Sequence, residues 1–120
     1  MYIGTDIVKI SRIEKALERF ETKFTHRFLT KEEALRVKKP ASLAGMWAAK
    51  ESIAKALGCG IGASLSFHDI IIEKNSKGAP YFHLSTQAQQ RYPIEKSSLS
   101  ISHDGGFAIA VVTITLSTSS

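Results

Sequence analysis

The sequence predicts an α+β fold in which one strand leads into a helical section and an antiparallel sheet follows. Three observations predict it. A short β-rich segment opens the chain, apolar residues at helical spacing with helix-start signals run to about residue 57, and β-branched runs separated by turn residues fill the rest. At 120 residues the chain fits a single domain, residues 1–120, large enough to bury a core without disulfides or structural metal. Apolar residues make up 43% and charged residues 22%, a balance that excludes a disordered chain.

Residues 2–8, Tyr-Ile-Gly-Thr-Asp-Ile-Val, read as the first strand, with Gly4 and the carboxylate of Asp6 inside it. Ser11 with Glu14 has the form of a capping box, and Thr30 with Glu33 has it again. These signals place helices over 11–24 and 31–38, the second ended by Pro40. Ser42 is the expected N-cap of a third, long helix over 43–57, stopped by Gly58. The run Gly58-Cys59-Gly60-Ile61-Gly62 is a flexible turn. Strands are expected over 69–74, 80–84, 97–102 and 107–116, with a short helix near 85–91 and a Ser/Thr tail at 117–120. Asn75 to Gly78 suits a tight connection, and Asp104-Gly105-Gly106 is a strong hairpin signal.

No apolar run approaches the ~20 residues that span a bilayer. The N-terminus lacks the charged-then-apolar pattern of a signal peptide, and Cys59 is the single cysteine, so no internal disulfide forms. The expected location is the cytoplasm, with no membrane partner. Lys plus Arg exceed Asp plus Glu by 16 to 11, which suits an anionic partner without choosing among nucleic acid, a phosphorylated small molecule and an acidic protein.

On the first helix, Ile10, Ile13, Leu17, Phe20 and Phe24 fall on one apolar stripe. Arg12, Lys15, Arg19 and Lys23 fall opposite, and Glu14, Glu18 and Glu21 form an acidic band beside the stripe. A solvated face would explain the charges. Their segregation, which forgoes interleaved i, i+4 pairs, favours a docking surface for something negative.

The third helix carries the richest chemistry. Its apolar arc holds Leu43, Met46, Trp47, Ile53, Ala54 and Leu57, with Lys50 in the middle. An unpaired ammonium is expensive to bury, so Lys50 either snorkels to water or reaches an anion in a cleft. Glu51 and Lys55 lie four apart in line with Ala44 and Ala48. They form either an ordinary surface ion pair or, with Lys50, the grip on a metal-bound polyphosphate. Magnesium takes one or two carboxylates plus phosphate oxygens, and Asp6, an acid inside an apolar strand, is the natural second carboxylate.

His26, His68 and His83 sit in polar or strand-edge contexts that call for no chemistry, whereas His103 ends a strand beside a tight turn, where ligand-binding groups are often presented. Ser102-His103-Asp104 is not a triad, because adjacent residues cannot align nucleophile, base and orienting group. No histidine spacing suggests zinc. Glycines 58, 60 and 62 follow a helix instead of preceding one, so Rossmann and P-loop readings fail. Cys59 has no assigned base and is a bystander.

Three segments in order resemble one family. Gly4-Thr5-Asp6-Ile7-Val8 running into Ile10-Ser11-Arg12-Ile13 is similar to the opening of the holo-acyl-carrier-protein synthases, the small 4'-phosphopantetheinyl transferases. Ala48-Ala49-Lys50-Glu51-Ser52-Ile53-Ala54-Lys55-Ala56-Leu57-Gly58 resembles their signature helix, and Ser100-Ile101-Ser102-His103-Asp104 their late strand-and-histidine motif. Phe28-Leu29-Thr30-Lys31-Glu32-Glu33 and Leu65-Ser66-Phe67-His68-Asp69-Ile70 add weaker agreement. The resemblance implies transfer of 4'-phosphopantetheine from coenzyme A to a serine of apo-acyl-carrier protein, in support of fatty acid biosynthesis. It implies that Asp6 and Glu51 bind Mg²⁺ on the coenzyme A pyrophosphate and that Lys55 neutralises or protonates the breaking phosphate bridge. Lys50 and His103 would contact coenzyme A phosphates. Arg12 with its neighbours Lys15, Arg19 and Lys23 would dock the acidic carrier protein. It leaves Glu51 or a water on the metal as the base. It also implies a homotrimer with active sites between subunits. One departure is visible: many relatives have Gly-Arg-Phe where this chain has Gly45-Met46-Trp47, so one phosphate contact lacks its arginine.

Two rivals compete. A nucleic-acid-binding module would use the basic ridge, but aromatics are 8% of the chain and none interleaves with the ridge, so no nucleic-acid partner is expected. A noncatalytic oligomerisation domain would use the apolar strands and leaves Asp6, Lys50 and Glu51 without a purpose.

Overall fold

The computed structural model describes residues 1–117; the remaining three residues of the expected Ser/Thr tail lie outside the described residues. The expected α+β order is present. Strand β1 (Tyr2–Lys9) leads into helices α1 (Ile10–Phe20), α2 (Thr22–Phe28), α3 (Lys31–Arg36) and α4 (Pro40–Ala56). After a 3-10 turn at Phe67–Asp69 come β2 (Ile70–Lys74), β3 (Pro80–Leu84), α5 (Thr86–Arg91), β4 (Ile94–Asp104) and β5 (Phe107–Leu116). All strand pairs are antiparallel, in one sheet of order β1-β5-β4 and one β2-β3 hairpin.

The three-stranded sheet has an inner and an outer face, set by the two-residue alternation of a strand. Ala108, Ala110, Val112 and Ile114 of β5 are fully buried against α4. The register puts Asp6 opposite Ala110, Ile101 on the other side of Ala110, and His103 opposite Ala108, so Asp6 and His103 share the inner face. The hairpin between β4 and β5 turns on Gly105 and Gly106, both at positive φ (58° and 85°), as a two-residue primed turn requires.

Helix α4 is the centre of the molecule. It crosses all three strands of the sheet and is buried on nearly every side, mostly through Ala, Gly and Ser. Small side chains let its backbone approach β1 closely. A Cβ placed on Gly4 would overlap the Ser52 carbonyl oxygen and lie 2.9 Å from the Ala56 nitrogen, so only glycine fits there.

Several boundaries differ from the sequence-based expectation. Ser11 and Glu14 make no capping box: Lys9 is the N-cap of α1, with no side-chain cap, because β1 runs directly into the helix and the Ile10 N–H donates to Gly106 O at 2.9 Å. The expected 11–24 helix is broken at Glu21, whose φ of 52° costs about 1–3 kcal/mol for a side-chain-bearing residue. The break turns α2 so that Phe24 and Phe28 meet Trp47 and Phe67 in an aromatic cluster, with centroid spacings of 4.8–6.2 Å. It also leaves Phe20, expected on the buried stripe, 47% exposed, and moves Lys23 off the helix that carries Arg12, Lys15 and Arg19. Pro40 opens α4 as well as following α3: at the first helical position its missing N–H is not needed, and Lys39 instead of Ser42 is the N-cap. The Thr30–Glu33 capping box is present.

Gly4→Ala is expected to lower stability by about 3 kcal/mol, about 10 °C in Tm by circular dichroism, because the obstructing atoms are backbone and cannot swing away. An unchanged Tm would contradict this packing.

Candidate active site

Asp6 and Lys55 meet where α4 touches β1. Gly4 admits the helix, and Asp6, two residues on and on the same face of the strand, lies beside its last turns. Lys55 Nζ donates to Asp6 Oδ1 at 2.8 Å and to Thr5 O at 3.2 Å. The Asp6 side chain is 15% exposed and that of Lys55 is 53% exposed, so the pair opens to solvent on the lysine side.

Glu51, one helical turn before Lys55, belongs to the same cluster. Burial raises its pKa above the ordinary glutamate value, the neighbouring Asp6 carboxylate raises it further, and the Lys55 ammonium opposes both. Two mutually repelling carboxylates beside one ammonium are a donor set suited to a divalent ion. Among the described residues no group of three or more His, Cys, Asp or Glu forms a metal site. Two carboxylates fit an ion such as Mg²⁺, whose other positions are taken by water and substrate phosphate.

Lys50 does not join this cluster, and the expectation that it contacts a coenzyme A phosphate is corrected. Its side chain has no exposure; Nζ donates to Glu33 Oε1 at 2.7 Å and to Phe67 O at 3.0 Å. Burial pulls its pKa below the usual lysine value, and Glu33 works against that shift. The anion that Lys50 reaches is internal. Sequence reasoning saw Glu33 as half of a capping box and as part of a weaker family match, and the position of Lys50 in an apolar arc was the signal that its ammonium needed an anion.

His103 lies apart from the acidic cluster. It lines a cleft of about 600 Å³ with Arg36, Lys38, Lys39 and Lys74, floored by Gly45 and Met46. Asp6, Glu51 and Lys55 do not line it. The acidic cluster flanks β1 and the cleft flanks β4, the two outer strands of the sheet. The basic residues of the cleft were missed in the sequence, although Arg36-Val37-Lys38-Lys39 just before Pro40 is a visible cationic run. Arg12, Lys15 and Arg19 are exposed along α1, and Lys23 is exposed on α2. His68 is tied to the backbone through contacts of Nε2 with His26 O and Leu29 O, and Cys59 is half-buried.

The raised pKa of Glu51 has a consequence for stability. A carboxyl that holds its proton more tightly in the folded state stabilises the fold below the ordinary glutamate range, and that contribution is lost as pH rises through the raised value. At neutral pH the ionised Glu51 is therefore a net cost. Glu51→Gln is expected to melt at a higher temperature than the wild type at about pH 7.5 with chelator present, the gap closing toward about pH 4.5. Equal or lower Tm at neutral pH would contradict the burial of Glu51 beside the Asp6 carboxylate.

Comparison with known proteins agrees with this architecture. A family model described as the 4'-phosphopantetheinyl transferase superfamily matches residues 2–112. The chain is 60% identical over 114 residues to the holo-[acyl-carrier-protein] synthase of Sulfurovum sp. (strain NBC37-1), covering 95% of this chain and 96% of the relative. The crystal structure of Helicobacter pylori holo-[acyl-carrier-protein] synthase in complex with coenzyme A superposes with a TM-score of 0.91 at 50% identity, covering 94% of this chain and 99% of the other. The Neisseria meningitidis holo-[acyl-carrier-protein] synthase gives 0.86 at 36% identity, over 95% and 97% of the two chains. With its fold and nearly its whole length matched, the chain belongs to the 4'-phosphopantetheinyl transferase superfamily.

Proposed function

We propose that this chain is a holo-[acyl-carrier-protein] synthase, which moves 4'-phosphopantetheine from coenzyme A to a serine of apo-acyl-carrier protein. The relatives above carry that name, and the Helicobacter pylori protein binds coenzyme A. The observation that carries the reading is the convergence of Asp6, Glu51 and Lys55, residues remote in sequence, on one solvent-open spot between β1 and α4.

The reaction is phosphoryl transfer. The serine oxygen attacks the β-phosphorus of coenzyme A, a new O–P bond forms, and the bond to adenosine 3',5'-bisphosphate breaks. Little covalent work falls to the protein, so catalysis rests on positioning and on charge. When bound by Asp6 and Glu51, Mg²⁺ supplies charge neutralisation on the diphosphate. Lys55, about half exposed, turns from Asp6 to the bridging or leaving oxygen and stabilises the charge that develops there. Glu51 or a water takes the serine proton. The cationic cleft with His103 suits the remaining phosphate of coenzyme A, with Arg36, Lys38, Lys39 and Lys74 supplying positive charge beside Met46. Arg12, Lys15 and Arg19 offer the acidic carrier protein a row of cations, with Lys23 beside them on the next helix.

The same reading includes a homotrimer, as the family resemblance implies. The outer face of the large sheet leaves Ile3 65%, Ile7 61%, Ile109 41% and Val111 39% exposed, an apolar surface of the kind that subunits cover. One chain holds its acidic cluster and its basic cleft at opposite edges of the sheet, and a neighbouring subunit would bring the cleft of one chain to the acids of another. On this reading the chain acts as one domain, in the cytoplasm and in fatty acid biosynthesis. No helix among the described residues is long and apolar enough to cross a membrane.

Incubated with coenzyme A and Mg²⁺, an apo-acyl-carrier protein should gain the mass of phosphopantetheine. Glu51→Gln should lower that rate by about 10³-fold, the loss expected when several kcal/mol of charge stabilisation go. No mass gain with the wild-type protein, or unimpaired turnover in the variant, would refute the proposal.

A further inference from the structure

The Glu33–Lys50 pair is fully buried and does not line the basic cleft, yet it joins α4, which carries Glu51 and Lys55, to the elements around that cleft. Glu33 Oε1 accepts from Lys50 Nζ at 2.7 Å and from Thr30 N at 2.8 Å, while Oε2 accepts from Ile72 N at 2.8 Å. Arg36, one turn along α3, donates to Ile72 O at 3.1 Å. Helix α3 thus satisfies both polar backbone groups of Ile72, which otherwise belong to an unpaired strand edge. Lys50 adds a bond to Phe67 O, in the turn that enters β2. One carboxylate therefore fastens α3, α4 and the β2-β3 hairpin together. The basic cleft lies among these same elements.

Stability alone does not explain a buried ion pair, since well-packed apolar residues of similar volume usually do as well or better. Position does. Helix α4 is buried largely through small side chains, which offer few interlocking shapes to resist rotation about its axis. Lys50 is the neighbour of Glu51 in the chain, so a bond that fixes the azimuth of Lys50 fixes that of Glu51 about 100° away. Misplacing a catalytic group by about 1 Å can cost about 100-fold in rate.

We propose that Glu33 and Lys50 are positioning residues, a buried strut that sets the rotation of α4 and so places Glu51 and Lys55 against Asp6, while holding Arg36 in the wall of the basic cleft. The strut rests on the reading of Asp6 and Glu51 as the metal-binding pair, and its test separates the two.

Lys50→Met alone strands a buried carboxylate and is prone to misfold, so the informative protein is the double variant Glu33→Gln/Lys50→Met, which removes both charges at nearly constant volume. Mn²⁺ alone is titrated into each protein and bound metal is followed by electron paramagnetic resonance, below the melting transition established by circular dichroism. The double variant is expected to be folded, to bind Mn²⁺ about 10-fold more weakly, and to lose about 10-fold or more in kcat. A folded double variant with wild-type Mn²⁺ affinity and kcat, and only a lower Tm, would overturn the positioning role. Glu51→Gln is run alongside. Undiminished Mn²⁺ binding there overturns the metal reading and the strut with it; binding lost in Glu51→Gln but kept in the double variant overturns the strut alone.

Discussion

The close contact between α4 and β1 at Gly4 is the constraint on which the rest of the structure depends. The residue has no side chain, and the space a Cβ would need is filled by the backbone of Ser52 and Ala56. Because the helix comes so near, its last turns present Glu51 and Lys55 to an acid only two residues further along the strand. A wider gap would leave Asp6 an unpaired carboxylate in an apolar sheet, which folding penalises. The same approach explains why α4 is rich in alanine, glycine and serine: helix-to-sheet distance is set by side-chain size, and a chemical site spanning both elements needs that distance short.

Small residues bring the helix close but do not orient it. Orientation comes from polar and aromatic groups on its other sides, namely the Glu33–Lys50 pair and the cluster of Trp47 with Phe24, Phe28 and Phe67. The strained backbone at Glu21 is part of the same arrangement. It turns the chain so that two phenylalanines reach Trp47, and the burial of those rings offsets the local strain. At the far side of the sheet, the start of α4 and the β2-β3 hairpin enclose a cationic cleft. The molecule thus separates negative and positive sites at two ends of one helix, a layout that suits an extended polyanion.

Much of this was legible in the sequence because it is governed by local rules. Alternation and turn residues located the strands of the second half, the Thr30–Glu33 box marked α3, and Gly58 marked the end of α4. Asp6 stood out as an acid in an apolar strand, and Glu51 and Lys55 by their helical spacing. What was illegible depended on tertiary contact. The break at Glu21 is driven by aromatic residues that meet only in the folded chain, so helical periodicity ran straight through it. Ser11 lost its capping role because a distant hairpin carbonyl at Gly106 had already taken the first free N–H. Lys50 was recognised as out of place, but its partner comes from another helix, 17 residues away, and no spacing rule links the two.

The central claim is that Asp6 and Glu51 share one divalent ion. Crystals grown with Mn²⁺ and coenzyme A, measured at the manganese absorption edge, test it most directly. A single anomalous peak is expected within coordination distance of a carboxylate oxygen of each residue, with diphosphate oxygens and water in its remaining positions. A peak that touches only one of the two, or a metal held elsewhere in the ligand-bound protein, would contradict the account.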